Sequence, residues 1–80
     1  MRIQFSKQAA KYLNRLDAAA QKRIRSGIFA IPQGDIRPMI GLEGDFRLRV
    51  GSWRILFTYK DEDTVLIKRI SPRGDVYKGG

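Results

Sequence analysis

Apolar residues recur along this chain with two different periods, and the changes of period mark its elements. Ile3 and Phe5 alternate with Arg2 and Gln4, which predicts a short strand over Arg2–Phe5. After Ser6 the spacing lengthens: Ala9, Tyr12, Leu13 and Leu16 fall three and four apart, predicting a helix over Lys7–Leu16 with Ser6 as its cap. Asp17 is the expected cap of a second helix, AAAQKRIRSGIFAI, whose stripe is Ala20, Ile24, Ile28 and Ile31 and whose stop is Pro32. So short a connection folds the two helices into an antiparallel hairpin. The Gly- and Pro-rich stretch PQGDIRPMIGLEG, Pro32 to Gly44, reads as a loop with room for a short strand or turn. Period two then returns in three strands, Phe46–Val50, Trp53–Lys60 and Thr64–Ile70, with Asp61, Glu62 and Asp63 separating the last two. The tail SPRGDVYKGG is irregular, with Val76 and Tyr77 available to dock. The expected order is β-α-α-β-β-β. This is an α+β domain, an N-terminal strand and an antiparallel helical hairpin packed on a small antiparallel sheet.

The segment FRLRVGSWRILF carries the most chemistry. A two-residue loop at Gly51-Ser52 sets Val50 opposite Trp53, Leu48 opposite Ile55 and Phe46 opposite Phe57, all on the packed side. The other side then carries Arg49 opposite Arg54 and Arg47 opposite Leu56. Like charges directly across strands destabilise, on a scale of about 0.2–1 kcal/mol per pair. A bound anion that neutralises the pair offsets that cost, and the planar arginine fork suits phosphate oxygens. The competing explanation, an edge-strand charge that blocks aggregation, fits poorly in the middle strand of three.

Composition sharpens this picture. Eighty residues make one domain, 1–80, which has to spend most of its apolar residues on the core. Sixteen Lys and Arg against eight Asp and Glu give a formal charge of +8, so the expected partners are polyanions, nucleic acid first. An acidic protein or an anionic surface is the alternative. No cysteine is present, which removes disulfides and cysteine-held metals and suits a reducing compartment. Neither a signal-peptide core nor a membrane-spanning run is visible, so a soluble cytoplasmic protein is expected.

Candidates downstream are Lys68 and Arg69, of which one is expected to reach the open side, and Arg73 and Tyr77, which can close its rim. Tyr77 offers a ring for an unstacked base, a hydroxyl for proton transfer, or a packing anchor for the tail. Lys22 and Arg23 read as a solvated helix face. The Asp61-Glu62-Asp63 cluster reads as an acidic turn and not as a metal site. No histidine is present to act as acid or base or to activate Ser6, Ser26, Ser52 or Ser71. The RGD at Arg73–Asp75 is taken as coincidental.

The pattern LEGDFRLRVGSWRILF followed by VLIKRISPRGDVY resembles the RelE/ParE superfamily of type II toxin–antitoxin toxins, over almost the whole chain and with the RelE branch favoured. The resemblance implies a metal-independent endoribonuclease without cofactor, a messenger RNA interferase acting in the ribosomal A site. The 2′-hydroxyl attacks the adjacent phosphate, and translation is inhibited. It also implies a cognate antitoxin with an acidic toxin-binding segment, held in a hetero-oligomer. Family positions fall on Arg47, Arg49, Arg54, Arg73 and Tyr77, with Lys68 and Lys78 as further RNA contacts. In the RelE type member, lysines stand where this chain has Arg47 and Arg49. Since arginine does not lose its proton, the base is left to Glu43, Asp75 or Tyr77, or catalysis rests on positioning and electrostatics. The alternative is a ParE-like toxin that inhibits DNA gyrase and is not a nuclease. A third reading is a non-catalytic RNA- or antitoxin-binding protein.

Overall fold

Each helix begins where a side-chain oxygen can take an otherwise unpaired backbone N–H. Ser6 Oγ accepts from the Ala9 N–H at 3.1 Å and Asp17 Oδ1 accepts from the Ala20 N–H at 2.8 Å. These caps start α1 (Lys7–Arg15) and α2 (Ala18–Phe29). Residues 1–72 are described by the computed structural model. Around the helices lie β1 (Arg2–Phe5), β2 (Asp35–Pro38), β3 (Asp45–Val50), β4 (Trp53–Asp61) and β5 (Thr64–Pro72). The expected Val76 and Tyr77 contacts lie outside the described residues.

The strands form one sheet in the order β1-β5-β4-β3-β2. Neighbours are antiparallel except β1, which runs parallel to β5, so the sheet is mixed and not wholly antiparallel as expected. The reason is topological. The chain leaves β1 at one edge, crosses the sheet through both helices, and returns at the other edge as β2, a short strand inside the stretch read as a loop. From there four strands zigzag back and deliver β5 beside β1.

β5 runs past the end of β1, whose four residues pair only with Thr64–Ile67. The start of α1 takes over the ladder. Ser6 Oγ donates to the Lys68 carbonyl at 2.7 Å. Gln8 brackets Ile70, accepting from its N–H at 3.1 Å and donating to its carbonyl at 3.2 Å. The Gln8 amide thus does the work of the peptide group that a longer β1 would supply.

Both helices feed one core. Ala9 and Leu13 from α1 and Ile24 and Ile28 from α2 meet Leu48, Ile55, Phe57, Val65, Ile67 and Ile70 of the sheet, all buried. Ile31, just past α2, joins them, as the expected stripe required. α2 lies so close to β3 that a Cβ on Gly27 would stand 2.5 Å from Val50 Cγ2. Glycine there is a packing requirement.

The outer margin of β2 has no free backbone donor to offer. Met39 donates its N–H to the Asp45 carbonyl of β3 at 3.0 Å, so in an alternating ladder the amides at 36 and 38 face away from β3. Pro38 has no N–H, and the Ile36 N–H is used by the Gly34 carbonyl at 3.0 Å.

Candidate functional site

The register places two polar rows on the sheet face opposite the core. One row runs Asp35, Arg49, Arg54, Ser71 across β2, β3, β4 and β5; the next runs Arg37, Arg47, Leu56, Arg69. Five arginines from four strands therefore share one face, because positions paired across a sheet, and positions two apart along a strand, point the same way. The pairings expected around Gly51-Ser52 are all present, Arg49 with Arg54 included. The sheet extends on both sides of the hairpin, which leaves β4 in the centre of five strands, far from any edge.

The arginines differ in what surrounds them. Arg49 is exposed, and its Nε approaches the Gly51 carbonyl at 3.4 Å. The Arg47 side chain is only 10% exposed and sits 3.7 Å from Asp35 Oδ1, so it lies lower in the face than its neighbours. Arg54 is half-buried; its Nη1 is fully covered and has no hydrogen-bond partner among the described residues. The same holds for the hydroxyl of Ser71, the strand partner of Arg54. Unpaired polar atoms of this kind are costly in a folded interior and cluster where a protein has work to do. Arg37 stands largely in solvent, 3.9 Å from Asp35.

Lys68 and Arg69 correct the expectation that only one of them reaches this face. The β4–β5 register slips between Leu56 and Phe57, which pair with Arg69 and Ile67, so Lys68 is the extra residue of a β-bulge. Arg69 keeps its place in the arginine row. Lys68 reaches the Asp45 carboxylate, 2.9 Å from Oδ2 and 3.1 Å from Oδ1. Asp45, the next position along β3 on this face, is buried, and this ion pair is what makes its burial tolerable. The Lys68 charge is therefore largely spoken for.

Among the other candidates, Glu43 lies exposed on the turn between β2 and β3 and makes no ion pair among the described residues. Arg73, Asp75, Tyr77 and Lys78 lie outside the described residues. Arg23 is not merely solvated: its guanidinium stands 5.8 Å from the centre of the Trp53 ring and backs the Gly51 turn. Asp61 ends β4, and Glu62 and Asp63 form the turn before β5, all three exposed. The Asp63 N–H donates to Asp61 Oδ1 at 2.8 Å, which holds the Asp61 carboxyl below its ordinary pKa. Sequence reasoning missed Asp35, Arg37 and the place of Arg69. For the first two a signal was present: Asp35-Ile36-Arg37 alternates with period two, and Ile36 packs on the core.

The model of the ParE toxin of type II toxin–antitoxin systems matches residues 3–77. The chain belongs to this toxin family. No curated protein matches it. Among solved structures, the toxin resembles a chain of the RelB-RelE antitoxin-toxin complex from Methanococcus jannaschii. That likeness has 25% identity and a TM-score of 0.74, over 95% of this chain and 96% of that one. A chain of the archaeal RelE-RelB complex from Pyrococcus horikoshii is also 25% identical, with a TM-score of 0.71 over 91% and 94%. A chain of the intact RelBE toxin-antitoxin complex from E. coli shares the fold at 14% identity, with a TM-score of 0.71 over 89% and 94%. The expected RelE/ParE superfamily and its α+β fold are thus both found, with the family model drawn from one branch and the solved neighbours from the other.

Proposed function

We propose that this toxin is a ribosome-dependent messenger RNA interferase, a metal-independent endoribonuclease that cuts mRNA in the ribosomal A site. One observation carries the reading: five arginines from four strands share a single sheet face, with Arg49 and Arg54 directly opposed. Such a face is built for phosphate. Arg54, together with Arg73, holds the scissile phosphate and stabilises the charge that grows on its non-bridging oxygens. Arg49 grips the adjoining backbone, and Arg47, held low beside Asp35, sets the positive field from beneath. Tyr77 stacks on a base or orients the nucleophile, and Lys78 adds a backbone contact. Lys68 contributes less than expected, because Asp45 holds it.

The partner is a cognate antitoxin that brings an acidic segment to this basic chain and keeps it inactive in a hetero-oligomer. The solved neighbours named above are antitoxin–toxin complexes, which supports this. Function in the cytoplasm follows from the proposed target.

A second reading is favoured by the family model, which describes the ParE toxin: inhibition of DNA gyrase by binding, without nuclease chemistry. Brief induction in bacteria, followed by mapping of mRNA 5′ ends, separates the two. New ends within translated codons, absent when ribosomes are omitted in vitro, support the interferase. Intact mRNA with a DNA-damage response supports the gyrase reading. Growth without either effect defeats both.

A further inference from the structure

The chain has no histidine, the lysine that reaches the arginine face among the described residues, Lys68, is held by Asp45, and guanidinium groups cannot accept a proton. Yet an attacking 2′-hydroxyl has to lose one. Two carboxylates lie on this face among the described residues, and their circumstances differ sharply. Asp45 is buried and both its oxygens are held by Lys68 Nζ, at 2.9 and 3.1 Å. Asp35 has 46% of its side chain exposed. Among the described residues its ion-pair partners, Arg47 Nη2 at 3.7 Å and Arg37 Nε at 3.9 Å, stand beyond hydrogen-bond distance. No hydrogen bond among the described residues ends on its oxygens. Asp35 is thus a carboxylate steadied between two arginines with its lone pairs unspent.

Its position suits the chemistry. Asp35 is the strand partner of Arg49, which is the partner of Arg54. Two strand spacings, about 10 Å between Cα atoms, separate it from Arg54. A phosphate held over Arg49 and Arg54 therefore has Asp35 as the next side chain along the row on the β2 side.

We propose that the Asp35 carboxylate is the general base that takes the proton of the attacking 2′-hydroxyl; this rests on the interferase reading above. The O2′–H bond breaks, and its proton passes to an Asp35 oxygen. O2′ bonds to phosphorus, and the bond from phosphorus to the 5′-oxygen breaks. That oxygen takes a proton from water, and Asp35 returns its own proton to the solvent. The products are a 2′,3′-cyclic phosphate and a 5′-hydroxyl, with no other reactant. Glu43, one of the three groups left open as base by the sequence, sits exposed on the turn before β3, outside the two rows.

Single-turnover cleavage of mRNA on programmed ribosomes tests this. Asp35→Asn, which keeps the shape of the side chain, lowers the cleavage rate by about 10²–10⁴-fold, the range for loss of a general base. Binding to the programmed ribosome stays unchanged. For Asp35→Ala, added formate restores cleavage in proportion to its concentration, while sodium chloride at equal ionic strength does not. A purely structural anchor for Arg47 would not respond to formate. Thermal unfolding of both variants within a few degrees of wild type shows that they fold. Wild-type cleavage with an equally active Asp35→Asn overturns the assignment, as does a slow Asp35→Ala that formate leaves slow. A greater loss in Asp75→Asn or Tyr77→Phe, with Asp35→Asn unaffected, also overturns it. Wild-type protein that leaves mRNA intact defeats the interferase reading itself, a distinct result.

Discussion

The two faces of the β3–β4 hairpin are made of alternate residues of the same strands, yet they obey opposite rules. On one face Leu48 with Ile55 and Phe46 with Phe57 pair across the strands, the two phenylalanine rings stacked at 5.7 Å. Leu48, Ile55 and Phe57 are buried there, and Phe46, Val50 and Trp53 pack against them. On the other face Arg49 opposes Arg54, Arg47 is nearly buried, and Arg54 Nη1 lacks a partner among the described residues. A stability-driven sheet would not choose this. The contrast teaches that the packed face maintains the fold and carries the energetic cost of the arginine face, which on the reading proposed above is held ready for a phosphate backbone.

The largest effect that can break this comparison lies on the packed face. Phe57→Ala removes a fully buried ring at the sheet centre and is expected to destabilise by about 3–5 kcal/mol, enough to unfold much of so small a domain. Urea titration followed by the single tryptophan, Trp53, measures it. Arg54→Ala should do the reverse, lowering mRNA cleavage by about 10²–10³-fold while the urea midpoint barely moves. If Arg54→Ala unfolds the protein instead, the division of labour between the faces is wrong. Gly27→Ala probes the layer between helix and sheet. Alanine favours the helix by about 1 kcal/mol, but its Cβ would collide with the stiff Val50 side chain. The net expected outcome is destabilisation by about 1–2 kcal/mol, since overpacking costs about 1–3. The smallest effect is also the most diagnostic. Arg49→Thr removes the like-charge pair and should stabilise the free protein by about 0.2–1 kcal/mol, measured by the same titration, while weakening RNA binding.

The packed face was almost fully legible in the sequence. Ser6 and Asp17 announced the caps, Gly51-Ser52 fixed the hairpin register, and the stripe Ile24, Ile28, Ile31 lies in the core as spacing required. Each is a local rule with a local cause. The arginine face was legible only along the hairpin, where a two-residue turn ties partners that are close in the chain. Asp35 and Arg37 reach it through pairing of β2 with β3, across a connection whose glycines and prolines hid a four-residue strand. Lys68 and Arg69 depend on a bulge, a one-residue slip that alternation alone does not foresee. Parallel pairing of β1 with β5 was hidden for a similar reason, because nothing local in RIQF says which distant strand it joins.

The donor-free margin of β2 has one more consequence. Stacked fibrils and runaway oligomers of sheet proteins grow when a border strand presents idle backbone donors to a newcomer. Here proline and a one-residue loopback leave that border with none to offer. A newcomer at this border finds acceptors alone, so two-way exchange of backbone bonds is denied to it and growth of the sheet is disfavoured beside the carboxylate-bearing strand.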